Sequence, residues 1–110
     1  MADLELLQGT LDVLILKSLR FGPRHGYAVA RWIKDTSDGA LSVEDRALYV
    51  ALHRLEERGQ IQAEWGVSEN NRKAKFYELT SAGRRALKEK TVDFTSYADA
   101  VLKILRATEA

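Results

Sequence analysis

Apolar residues recur at three- and four-residue intervals at Leu4, Leu7, Leu11, Leu14 and Ile15. That spacing marks one face of a helix and predicts a first helix over 4–19. Phe21-Gly22-Pro23 closes it, because Pro23 has no amide hydrogen to donate and Gly22 tolerates unusual dihedrals. A second helix is predicted over 26–36, with Val29, Ala30 and Ile33 inward and Ser37-Asp38-Gly39 as its stop. Ser42-Val43-Glu44-Asp45 predicts a capping box opening a third helix, with Asp45 in place of the usual Glu or Gln. Its apolar face is Leu48, Ala51, Leu52 and Leu55, and Gly59 reads as its C-terminal stop. Two extended runs follow, Ile61–Trp65 and Lys75–Leu79, separated by the polar stretch Gly66–Ala74, a β-hairpin with a long loop. Ile61, Ala63 and Trp65 alternate as its apolar side. Thr80 caps a fourth helix that no Gly or Pro interrupts after Arg84; at about 28 residues it would span about 42 Å.

Three short helices, a hairpin and a long helix, in that order, predict a mainly α fold with a small β-hairpin. A tight turn before the third helix makes this a helix-turn-helix, and the hairpin after it makes a winged one. The reading divides the chain into a winged helix-turn-helix DNA-binding unit over 1–80 and a C-terminal dimerisation helix over 81–110. A length of 110 residues leaves little room for a further domain.

The net charge of +1 hides segregation. Residues 1–16 carry three acids and no base, 17–34 five bases and no acid, and 68–90 seven bases against three acids. Two basic blocks point to nucleic acid if folding brings them to one face. No cysteine is present, so disulfides, thiolate metal sites and a Cys nucleophile are excluded. No run approaches the roughly 18 apolar residues of a membrane span, and a soluble cytoplasmic protein is expected.

The segment Leu48-Tyr49-Val50-Ala51-Leu52-His53-Arg54-Leu55-Glu56-Glu57-Arg58-Gly59 resembles the PadR family of bacterial transcriptional regulators. Gly9-Thr10-Leu11, His25-Gly26-Tyr27 and Tyr77-Glu78-Leu79-Thr80-Ser81-Ala82-Gly83 match further pieces, in the family's order over 9–83. The resemblance implies a winged helix-turn-helix that binds operator DNA as a homodimer. It also implies repression, often relieved by a small-molecule effector. The chain is similar to the small members with a single C-terminal helix. It departs at the recognition helix: the family usually places Gly-Ser or Gly-Thr before Leu-Tyr and Pro after it, where this chain has Arg46, Ala47 and Val50. A hydroxyl that would grip phosphate is missing, and Arg46 can replace it.

At 100° per residue, Arg46, Val50, His53 and Glu57 fall opposite the apolar face of the third helix, with Ala47 at its start and Tyr49 and Arg54 on the flanks. Arginine can bond a guanine edge through two donors, and an apolar side chain can meet a thymine methyl. Arg54 has two readings: a DNA contact, or an ion pair with Glu57 or Glu64. In the hairpin loop, Asn71, Arg72, Lys73 and Lys75 are the candidate backbone contacts, since cations there release counterions without reading sequence.

In the fourth helix, Leu87, Phe94, Tyr97, Val101 and Ile104 fit a seven-residue repeat that Leu102 and Leu105 widen. A second copy is the expected partner, joined by Leu7, Leu11 and Leu14 of the first helix. Phe94, Tyr97, Trp32 and Trp65 are candidates for an aromatic ligand pocket at that interface. His25 and His53 lie in different elements, and no His/Asp/Glu cluster has metal-ligand spacing, so neither metal nor cofactor is expected. No phosphate loop or nucleophile motif is present, which argues against an enzyme. The competing readings are a winged-helix protein–protein module without DNA binding and a small-molecule-binding carrier.

Overall fold

A computed structural model describes residue 6 and residues 9–109; Leu4 and Leu7 lie outside the described residues. The elements are α1 (Thr10–Ser18), a 3₁₀ turn (Leu19–Phe21), β1 (Arg24–His25), α2 (Gly26–Thr36), α3 (Asp45–Glu57), β2 (Ile61–Val67), β3 (Lys73–Leu79) and α4 (Ser81–Leu105). The fold is mainly helical with a small antiparallel sheet, as the pattern predicts. The sheet has three strands rather than two, in the order β1-β3-β2. β1 is only two residues long and pairs Arg24 with Tyr77 and His25 with Phe76. So short a strand has no alternation to detect.

The α-helix α1 starts at Thr10, not at residue 4, because Gly9 sits in the left-handed region (φ 87°), which an α-helix cannot propagate. Its buried side is Asp12, Ile15, Leu16 and Ser18, continued by Leu19 in the 3₁₀ turn, while Leu11 and Leu14 are half-buried. α2 has the predicted limits. His25 caps it, its Nδ1 accepting from the Ala28 amide at 3.2 Å.

α3 starts at Asp45 rather than at the predicted Ser42. Glu44 is its N-cap and has extended backbone (ψ 142°), so the first helical turn forms only beyond it. The hairpin strands are longer than predicted. Gly66 pairs with Ala74 and Val67 with Lys73, which shortens the loop to 68–72. Ser68 closes that loop by donating its amide to the Arg72 carbonyl at 2.8 Å.

One core joins α1, α2, α3 and the sheet base: Ile15, Leu16, Leu19, Val29, Ile33, Leu48, Ala51, Leu52, Leu55, Ile61, Tyr77 and Leu79. The first turns of α4 add Ala86 and Leu87. Leu87 is therefore buried within its own chain and is not available to an interface, which corrects its placement on the dimerisation stripe. Beyond it α4 leaves the body, and the molecule extends 61 × 33 × 22 Å. At 25 residues α4 is about 37 Å long. No described helix is long and apolar enough to cross a membrane.

Candidate nucleic-acid interface

Leu48, Ala51, Leu52 and Leu55 fasten α3 to the core, which leaves its opposite side in solvent. Arg46, Ala47, Tyr49, Val50 and His53 are all exposed there. His53 and Arg46 lie two turns apart, about 10 Å along the axis. His53 Nε2 is 3.7 Å from Glu57 Oε1, an exposed contact one turn on.

Arg54 does not belong to this stripe, nor does it pair with Glu57 or Glu64. Its guanidinium is bonded to the buried Asp12 carboxylate of α1. Arg58 reaches the other carboxylate oxygen at 3.9 Å. The pattern of α1 holds the missed signal. Asp12, Ile15, Leu16 and Leu19 share one buried face, and a carboxylate there needs a cation brought to it.

The wing carries its bases in two settings. Arg72 and Lys73 are exposed at the tip, and the Lys73 ammonium stands 5.2 Å from the centre of the Trp65 ring. Lys75 lies lower on β3, 3.3 Å from Glu56 Oε1 and 5.6 Å from the Tyr77 ring, so its charge is partly answered within the chain. Burial pushes the Tyr77 phenol above its usual 10.0, and the Lys75 ammonium pulls against that shift. Asn71 has φ 58°, a left-handed turn position that asparagine tolerates.

A cleft of about 630 Å³ separates the wing from α2 and α3, with Tyr27, Tyr49, Trp65, Arg72 and Lys73 among its walls. Trp65 is exposed here because the strand has run past the helices that cover Ile61. Among the described residues no His, Asp or Glu cluster is placed to hold a metal.

The transcriptional regulator PadR-like family model matches residues 15–89. The chain belongs to that family. The family is one of transcriptional regulators, not of enzymes. Among solved structures, the chain is similar to a transcriptional regulator from Clostridium thermocellum (TM-score 0.81, 26% identity, covering 90% of this chain and 93% of that one). A PadR family transcriptional regulator from Eggerthella lenta is 33% identical, with TM-score 0.74, over 92% of this chain and 86% of that one. PadR of Bacillus subtilis, solved in complex with operator DNA, matches at TM-score 0.66 and 26% identity over 74% of this chain and 47% of that one.

Within this PadR-like chain the His25-Gly26-Tyr27 piece has a physical meaning. A Cβ at Gly26 would lie 2.6 Å from the Tyr49 hydroxyl, so the absence of a side chain there makes room for the recognition-helix tyrosine. The aromatic candidates do not assemble into one pocket. Trp32 packs on Phe21 at 6.0 Å, Trp65 stands on the wing, and Phe94 and Tyr97 line a separate hollow with Val13 of α1.

A groove of about 790 Å³ between α1 and α4 has Val13, Leu14, Leu87, Val92 and Phe94 as its apolar wall. Lys17, Arg20, Arg84 and Lys88 also line it. Tyr97, Ile104 and Leu105 are exposed along the projecting part of α4, and Val101 is half-buried.

Proposed function

We propose that this chain is a homodimeric repressor that lays α3 in the major groove of operator DNA and rests its wing on the backbone. A small-molecule effector bound between the copies would release it. The observation that carries the reading is the outward stripe of α3, Arg46, Ala47, Val50 and His53, presented beside a wing tip bearing Arg72 and Lys73. A helix held rigidly by one face and free on the other is what major-groove entry requires. The apolar residues along α4 and the α1–α4 groove favour a second copy as their cover. Leu14, Phe94, Tyr97, Val101, Ile104 and Leu105 are its proposed contacts, with half-buried Leu11 beside them, whereas Leu87 packs into its own core and Arg54 is bonded to Asp12. The hollow beside Phe94 and Tyr97, which shares Val13 and Phe94 with the α1–α4 groove, supports an effector site near that seam.

Selection of bound duplexes from a random pool tests the proposal. An inverted repeat with half-sites about 34 Å apart is the expected result. Arg46→Ala should then cost about 1–3 kcal/mol on the selected operator and relax one symmetric pair of positions. Equal losses on operator and random DNA would assign Arg46 to a phosphate instead. No retention of any duplex would overturn the reading.

A further inference from the structure

Side chains alternate along the wing. In the β2–β3 register, Ile61 faces Leu79, Ala63 faces Tyr77, Trp65 faces Lys75 and Val67 faces Lys73. This series begins in the core and ends in the cleft: Ile61, Leu79 and Tyr77 are buried, whereas Trp65 is 62% exposed. The other side of the hairpin carries Gln62, Glu64, Phe76 and Glu78, so Lys73 and Lys75 share with Trp65 the side that looks toward α3.

Across the cleft stand Tyr27, 66% exposed, and Tyr49, 51% exposed. Three large aromatic side chains thus line one open cleft without a core to fill. The cleft is also cationic. Among the described residues neither Arg72 nor Lys73 lies within ion-pair distance of a carboxylate. Lys75 and Arg31 also line it but are paired with Glu56 and Asp35, and Glu69 is the one acid in the lining.

Aromatic faces set among unpaired cations match a ligand that alternates apolar faces with anionic groups. A sugar–phosphate strand does so at every nucleotide. We infer that Trp65 is a DNA-contacting residue whose indole packs against the deoxyribose of a strand held between the wing and the start of α2, with Tyr27 and Tyr49 as the opposite wall. Lys73, beside the same ring, then meets the adjoining phosphate. The inference rests on the DNA-binding reading above and adds to it a contact that carries no charge and reads no base.

That character sets the test. Trp65 becomes the sole tryptophan in Trp32→Phe. This variant is titrated with a dye-labelled random duplex, following dye anisotropy and tryptophan emission together. Anisotropy reports binding, and emission reports the environment of Trp65. The expected result is an emission change that saturates on the anisotropy curve, with lower acrylamide quenching in the complex. Trp65→Ala should weaken random and operator DNA alike by about tenfold, the size of one aromatic contact. It should leave the slope of log K against log salt unchanged, since no cation is removed. Trp65→Phe should recover part of the loss.

Binding with unaltered emission and undiminished affinity in Trp65→Ala would overturn the inference and leave the DNA-binding reading standing. A loss confined to the operator would overturn sugar packing in favour of base contact. Absence of any anisotropy change would remove the reading and the inference together.

Discussion

The bond between Asp12 and Arg54 ties α1 to the recognition helix, and its two ends are unequally exposed. The Asp12 side chain is 9% exposed and that of Arg54 40%. Removing the acid by Asp12→Ala lets Arg54 turn toward water, so the cost is mainly the lost charge-assisted bond, about 2 kcal/mol. The 3.9 Å contact with the more exposed Arg58 adds no more than about 0.5 kcal/mol. Removing the base by Arg54→Ala leaves a buried carboxylate with only the distant Arg58 for company. That stranding should cost about 3 kcal/mol or more. The prediction is therefore an order: Arg54→Ala is worse than Asp12→Ala, and the double variant resembles Asp12→Ala. Urea unfolding at one fixed protomer concentration measures it, with the m-value expected to hold. A loss of about 2 kcal/mol corresponds to a fall in Tm of about 10 °C for a domain this small. Equal costs below about 1 kcal/mol for both single variants, or the reverse order, would refute the account and make this a surface pair.

Three further outcomes can be checked. A Cβ at Gly83 would lie 1.9 Å from the Gln60 carbonyl oxygen, so Gly83→Ala should destabilise by about 3 kcal/mol or shift α4, read by urea unfolding and near-ultraviolet dichroism. Arg72→Ala and Lys73→Ala should each flatten the slope of log K against log salt by about 0.9, and Lys75→Ala by less because Glu56 already partners it; a slope unmoved by the tip pair would take the wing off the DNA. Val101→Asp combined with Ile104→Asp should yield folded monomers in sedimentation, because those charges would fall within the proposed seam; an unchanged dimer, or a monomeric parent chain at micromolar concentration, would count against it.

What was legible in the sequence and what was not follows from the range of each signal. α2 and the inward face of α3 were legible because Val29, Ile33, Leu48, Leu52 and Leu55 repeat at helix spacing and are buried for that reason. Leu87 fits the same spacing as Tyr97 and Ile104, yet it is buried and they are exposed. Periodicity assigns a side of a helix, not the body that covers it, and this chain's own core covers only the first turns of α4. Trp65 shows the converse. Its alternation with Ile61 and Ala63 is real, but the strand outruns the core. The ion pair of Asp12 joins residues 42 apart, so the apolar face of α1 marks a carboxylate in need of a cation but does not name Arg54 as its partner. For Arg46, Val50 and His53 the exposed face was legible, because each lies opposite the buried Leu48, Leu52 and Leu55.

The short pieces that carry the family resemblance are more informative as pairs than singly. Gly26 and Tyr49 come from different pieces and meet where α2 starts beneath α3. Gly59, from the same piece as Tyr49, meets Thr80 of a third, and the Thr80 hydroxyl donates to the Gly59 carbonyl at 2.6 Å. The same hydroxyl accepts from the Gly83 amide at 3.1 Å and so caps α4. The Thr80 amide donates to the Gln60 carbonyl at 3.1 Å, which is the carbonyl that leaves no room for a side chain at Gly83. The end of the recognition helix and the start of α4 are thus joined backbone to backbone, with a single hydroxyl serving both. Such a joint has little freedom, since each donor and acceptor would otherwise have to find water. In a dimer assembled through α4, this joint and the seam together set the separation and angle of the two copies of α3. On the dimeric reading proposed above, a change at the seam would reach the spacing of the two α3 helices through Gly59, Gln60, Thr80 and Gly83 rather than through the groove-facing residues themselves.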